Sequence, residues 1–207
     1  MMSNERFKTV LLFGAPGSGK GTQGKILGSI PGFYHLSCGD VFRTMDIRSE
    51  IGKIFCEYSS RGELVPDEVT VQLWRQNMRA HTVLSHYQQH NDLLVLDGIP
   101  RNVQQSELLD PDIDVLKVIH LVCEDKDEMV TRLRKRALKE NRVDDARENV
   151  ILNRWKVYER ETQPVLNHYP ADLVAEVSAS QTPAAVLVDV LSIVVPLYDS
   201  LFRPAEV

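Results

Sequence analysis

Lys8-Thr-Val-Leu-Leu-Phe13 runs directly into Gly14-Ala-Pro-Gly-Ser-Gly-Lys20-Gly-Thr22, and the succession of these two stretches decides the fold. The first is short and almost wholly apolar, the pattern of a strand buried on both faces of a parallel sheet. The second is a glycine-rich turn that opens a segment of helical periodicity, Gly19 to Ser29. In that context a GxxxxGK match reads as a phosphate loop. Its glycines let successive backbone N–H groups converge on phosphate oxygens, the helix N-terminus adds partial positive charge, and the lysine reaches the outer phosphates. The candidate residues are Gly17, Ser18, Gly19, Lys20, Gly21 and Thr22. Gly21 stands where Ser or Thr usually binds magnesium directly, and Thr22 is displaced by one position, so magnesium is expected to be held mainly through water.

Further apolar runs recur along the chain: Leu93 to Leu96 ending at Asp97-Gly98, Lys117 to Cys123, Leu173 to Val177, and the shorter Tyr34 to Leu36. Between them lie segments of helical period, Val69 to Gln89, Asp127 to Lys139, Glu148 to His168 and Pro183 to Leu197. Strands alternating with helices imply right-handed parallel crossovers. The expected fold is therefore α/β, a doubly wound five-stranded parallel sheet of the P-loop NTPase type, with ligands beyond the carboxyl ends of the strands. The stretch from Ser37 to Gln89 is longer than one crossover needs, and its first part, 37–66, reads as a small helical insert. A polar break at Ala137 to Asn141 separates two helices. Inserts at the carboxyl edge of a sheet are natural substrate covers.

At 207 residues the chain is read as one domain, 1–207. Its 43% hydrophobic and 26% charged residues suit a packed soluble core. The net charge of -5 offers nothing global to a nucleic acid or an anionic membrane, so any anion must meet locally concentrated cations. No signal segment is expected at the start, which lacks a basic and then apolar run, and because the longest apolar run, Val186 to Val195, is interrupted by Asp189, no stretch is expected to reach the length of a membrane span. No membrane partner and a cytoplasmic location are expected. Cys38, Cys56 and Cys123 are scattered without metal-ligand spacing, as are the six histidines, so reduced thiols and no structural zinc are expected.

Gly14 to Gln23 resembles the phosphate loop of the adenylate kinase family of nucleoside monophosphate kinases, and the likeness extends well beyond it. Leu36-Ser-Cys-Gly-Asp-Val-Phe-Arg43 is similar to that family's monophosphate-site segment. Gly62-Glu-Leu-Val-Pro-Asp67 is similar to the end of its monophosphate-binding insert, and Asp97-Gly-Ile-Pro-Arg101 to its Asp-Gly-Phe-Pro-Arg motif. Arg132, Arg136 and Arg142-Val-Asp-Asp145 match arginines around a short lid of about 136–146, and Thr162-Gln-Pro-Val165 the segment after it. Motifs in this order cover Val10 to Val177.

The resemblance implies a phosphotransferase moving the γ-phosphoryl of ATP to a nucleoside monophosphate, with magnesium as cofactor and AMP as the foremost acceptor. A UMP/CMP kinase of the same fold and a non-catalytic nucleotide-binding module are the alternatives. It places Lys20 on the β and γ phosphates, with Arg136, Arg142 and Arg154 closing over the transferring group as catalytic cations. Arg132 is expected on the donor base, where a planar guanidinium stacks well. The monophosphate is expected among Cys38, Arg43, Glu63, Leu64, Val65, Gly98, Arg101, Gln105, Arg142 and Arg154, and Asp97 is expected to hold magnesium-bound water. Asp144 and Asp145 are read either as orienting the lid arginines or as capping the next helix.

Three departures stand out. Cys38 replaces the Thr usual in adenine-specific members, and a thiol is a weak hydrogen-bond partner. Ile99 replaces Phe. Position 153 is Asn where an arginine is expected, and a one-residue insertion near Ala146 or Arg147 would restore the role to Arg154. The lid is too short for a metal-stapled form. Gln105 is expected to face adenine N6 and N1 through its amide, with freedom to rotate toward uracil. The donor-base loop is placed at Ser178 to Thr182, and a monomer is expected.

Overall fold

The first strand, β1 (Phe7–Gly14), has six consecutive buried residues, as a strand covered on both faces must. Its side chains alternate between two cores. Leu11 and Phe13 join Trp74, Leu94, Leu96 and Leu109 on one face, while Val10 and Leu12 join Leu27, Val95, Val186 and Val190 on the other. The computed structural model describes residues 5–140 and 147–203. The strands β2 (Phe33–Ser37), β3 (Leu93–Asp97), β4 (Ile113–Val122) and β5 (Val174–Ser178) complete one sheet in the order β2-β3-β1-β4-β5, every pair parallel. The expected α/β doubly wound five-stranded parallel sheet is what the chain forms.

Helix α1 (Lys20–Leu27) follows β1, and α2 (Cys38–Thr44) follows β2 without a gap. Ser37 caps α2 by accepting from Asp40 N, and Ser49 caps α3 (Glu50–Arg61) by accepting from Gly52 N. These two helices form the 37–66 segment. Helix α4 (Asp67–Val83) then crosses one face, burying Thr70, Val71, Leu73, Trp74 and Met78 at helical spacing. After β3 comes α5 (Val103–Leu109), after β4 come α6 (Lys126–Glu140) and α7 (Glu148–Val157), and after β5 comes α8 (Pro183–Phe202).

Several element boundaries differ from the sequence reading. Helix α5 was missed because only seven residues carry its periodicity. Its signal was the capping pair Asn102-x-x-Gln105, an N-cap residue followed three positions later by Gln. Strand β4 starts at Ile113 rather than Lys117, since Asp114 sits at the sheet's end, where Arg6 pairs with it at 3.2 Å. The segment Glu148 to His168 is not one helix. It loosens into a π turn, Tyr158–Thr162, and then a 3-10 run, Gln163–His168, because Pro164 has no backbone N–H to donate and its ring crowds the carbonyl one turn earlier.

Helix α4 stops at Val83, and Ser85 then turns at φ 56. Helix α8 continues through Pro196 to Phe202. By length and a mean hydropathy of 1.9 this 20-residue helix meets the requirement for a membrane span, against the expectation that no segment reaches it. The expectation failed because Asp189 interrupts the apolar run without ending the helix. Val186, Val190 and Val194, at i, i+4 and i+8, are buried against the sheet.

Candidate functional site

The carboxyl ends of β1, β2 and β3 open into a cavity of about 580 Å³, floored by the Gly14–Thr22 turn and α1 and walled by α2, α6, α7 and the loops after α3 and β3. The turn needs its glycines. Gly17 has φ 91 and Gly19 has φ 96, and a Cβ on Gly17 would stand 2.7 Å from the Met129 carbonyl oxygen. Non-glycine residues rarely adopt such a conformation, and at Gly17 the Met129 backbone also closes off the space a side chain would need.

Lys20 bends back over this turn, its ammonium donating to the carbonyls of Gly14 at 2.5 Å and Ala15 at 3.1 Å. Burial pushes its pKa down to about 8. Arg101, Arg136 and Arg154 push the same way, against the opposing effect of Asp97. The cavity is thus already rich in positive charge before any ligand enters. Nine Lys and Arg side chains line it against three Asp and Glu. In a chain of net charge -5 this concentration marks an anion site, because the low-dielectric walls focus the field of like-charged groups.

All the sequence-derived site residues within the described segments line this one cavity: Gly17 to Thr22, Cys38, Arg43, Glu63, Leu64, Val65, Asp97, Gly98, Arg101, Gln105, Arg132, Arg136 and Arg154. Arg142, Asp144, Asp145 and Ala146 lie outside the described residues, as does most of the expected lid at 136–146. Positions 153 and 154 part company. Arg154 lines the cavity, while Asn153 donates through Nδ2 to the Arg61 carbonyl at 2.7 Å and so ties α7 to the end of α3.

The cations are held by partners that set their direction. Arg132 donates to the Ala179 carbonyl at 3.0 Å and to Glu128 at 2.6 Å, so its guanidinium is fixed beside the loop after β5. Arg101 donates through Nε to the Gly98 carbonyl at 2.8 Å, and its own carbonyl accepts from the Thr162 hydroxyl at 2.8 Å. Arg43 pairs with Asp40 at 3.1 Å. Asp97 ends β3 with only 8% of its surface exposed, and its Oδ2 lies 3.5 Å from where a Cβ on Gly21 would stand. Behind it is His35, whose Nε2 is 4.0 Å from the carboxylate and whose pKa burial lowers.

Cys38 is buried at the start of α2, and burial pushes its thiol up to about 11. It stays a neutral, weak hydrogen-bonding group. Gln105 does not have the rotational freedom expected of it. Its Oε1 accepts from Arg101 N at 2.8 Å and its Nε2 donates to Asp67 at 2.7 Å. The sequence reading gave no role to Asp67, Asn102, Thr162, Glu128 or His35; Thr162 lines the cavity, and the other four touch lining residues. Asp67 and Thr162 stand in matched motifs and Asn102 in the Asn102-x-x-Gln105 capping pair, while nothing in the sequence marks Glu128 or His35.

Comparison with known proteins supplies the context for this geometry. A family model described as adenylate kinase matches residues 12–174. An adenylate kinase of Kocuria rhizophila is 39% identical over 165 residues, covering 77% of this chain and 84% of that protein. Another, of Flavobacterium psychrophilum, is 35% identical over 166 residues, covering 77% and 83%. A third, of Streptomyces avermitilis, is 31% identical over 203 residues, covering 82% and 89%.

Proposed function

Because this chain belongs to the adenylate kinase family and is a nucleoside monophosphate kinase, we propose that it moves the γ-phosphoryl of ATP to AMP, forming two ADP. The observation that carries this reading is the convergence of Lys20, Arg101, Arg136 and Arg154 on one cavity in a protein that is acidic overall. Transfer between two nucleotides gathers several negative charges in one cleft, and catalysis consists largely of positioning and neutralising them.

In this reading the glycine turn and Lys20 hold the β and γ phosphates of ATP, and Arg132 lies against the donor base beside Ala179. Arg43 and Arg101 take the monophosphate. The acceptor base lies among Cys38, Glu63, Leu64, Val65, Gly98 and Gln105, within the 37–66 segment and the loop after β3. Arg136, Arg142 and Arg154 span the transferring group, which passes in line from one oxygen to the other without a covalent enzyme intermediate. Closure of the 37–66 segment and the 136–146 lid excludes water, the competing acceptor.

Magnesium bound with ATP supplies charge neutralisation at the phosphates. Among the described residues no three His, Cys, Asp or Glu side chains converge as a metal cage. Asp97, which lines the cavity across from Gly21, would hold the ion through its bound water. We read α8 as a packed helix of a cytoplasmic monomer, with neither membrane nor nucleic acid as partner. The test is a panel of AMP, CMP, UMP and GMP with ATP as donor, products separated directly. AMP should lead by kcat/KM. A lead for UMP or CMP would overturn the acceptor assignment, and nucleotide binding without turnover would leave a regulatory module.

A further inference from the structure

The geometry points to Asp67 as a positioning residue that fixes the donor–acceptor order with which Gln105 reads the acceptor base; the inference rests on the proposed role of Gln105 at that base. Gln105 is 1% exposed yet lines the cavity, and both ends of its amide are engaged by groups of opposite character. Arg101 N, a backbone N–H and so only a donor, meets Oε1 at 2.8 Å. The Asp67 carboxylate accepts from Nε2 at 2.7 Å. Turning the amide over would place oxygen against carboxylate and NH2 against N–H, breaking two hydrogen bonds and creating two repulsive contacts in a buried position.

Asp67 is itself held. Asn102 donates through Nδ2 to both carboxylate oxygens, at 3.0 and 3.1 Å. The Asn102 amide cannot turn either, because its Oδ1 accepts from Gln105 N at 2.7 Å as the cap of α5. Four groups on three segments, the start of α4, the loop after β3 and the first turn of α5, therefore determine one amide orientation.

What remains of Gln105 is one N–H and one lone pair on Oε1, in a fixed order. Adenine offers an amino donor beside a ring-nitrogen acceptor, and cytosine offers the same order. Uracil and guanine offer the reverse, a carbonyl acceptor beside a ring N–H donor. The lock consequently rejects uracil and guanine by polarity and leaves cytosine to be rejected by size alone. Among pyrimidine monophosphates, CMP should bind in preference to UMP. A mismatch that leaves buried polar groups unpaired is expected to cost about tenfold or more in discrimination.

Two measurements test this. Calorimetric titration of the unaltered protein with AMP, CMP and UMP should rank them in that order, with UMP about tenfold weaker than CMP; equal or tighter binding of UMP overturns the lock. Asp67→Asn substitutes an amide for the carboxylate and gives Gln105 a donor to turn toward. It should lower kcat/KM for AMP by more than for UMP, so that the UMP-to-AMP ratio rises, with KM for ATP changed by less than about twofold. A merely structural role would lower both acceptors by the same factor, and that result would refute the lock. The effect of Asp67→Asn on the UMP-to-AMP ratio should vanish in a Gln105→Leu background; its persistence there also refutes the lock. Failure of the kinase reading would appear separately, as nucleotide binding without ADP formation.

Discussion

ATP binding should take up a proton at alkaline pH, and the reason lies in the state of Lys20 before ATP arrives. In the free protein burial and three neighbouring arginines bring its pKa from 10.5 to about 8. Bound phosphates reverse that effect by supplying opposite charge at contact distance, which favours the ammonium. If the bound value returns to about its ordinary level, Lys20 at pH 9 passes from about one-tenth protonated to nearly fully protonated, an uptake of about 0.9 proton per ATP. The phosphates of ATP, whose last ionisation lies near pH 6 to 7, add little there.

The linked affinity follows: the dissociation constant for ATP should rise about tenfold between pH 7 and pH 9, and by up to tenfold per further unit until the bound lysine itself titrates. Calorimetry at pH 9 in two buffers of different ionisation enthalpy reads the uptake directly. Lys20→Met should bind ATP without uptake and lose the pH slope. No uptake in the wild type, or the same uptake in Lys20→Met, would refute the reasoning. The same shift has a sign for folding. Between about pH 8 and pH 10.5 the unfolded chain holds this proton and the folded one does not, so the group's destabilising contribution is full below that range and fades as pH rises through it.

Lys20→Met should also cut turnover at neutral pH by about a hundredfold or more, about 3 kcal/mol of transition-state stabilisation, while near-normal turnover in a folded variant would remove Lys20 from the mechanism. Arg101→Ala should weaken AMP binding through loss of a charge-assisted contact and spare ATP, and equal losses by calorimetric titration would contradict the division of the cavity. Cys56 is exposed and Cys38 buried with a pKa near 11, so a thiol reagent at pH 8 should modify Cys56 promptly and Cys38 only on unfolding. Leu94→Ala in the centre of β3, with no exposed surface, should lower unfolding free energy by about 2–5 kcal/mol in denaturant titration.

The chain's sequence determined the parts of this protein that local chemistry dictates. An apolar run followed by glycines and a lysine is a strand, a phosphate turn and a helix start in almost any surroundings, because sterics at Gly17 and Gly19 and burial on both faces of β1 leave few other solutions. Alternation of such runs with helical periods was enough for a parallel doubly wound sheet. The cations that would meet a nucleotide were legible too, since their positions in motifs mark them out in an acidic chain.

Tertiary structure alone decided what depends on contacts between distant segments. The two cores are divided by the alternation of β1 only once helices lie on both sides of it. That Arg154 lines the cavity while Asn153 holds the end of α3 depends on how α7 packs. Helix α5 and the loosened turn at 158–162 escaped notice because short elements carry too few periods to read. The orientation of Gln105 depends on Asp67, 38 positions away in sequence, and on the backbone of Arg101. An amide is symmetric in shape and opposite in polarity at its two ends, so only the groups that folding brings against each end decide which way it points.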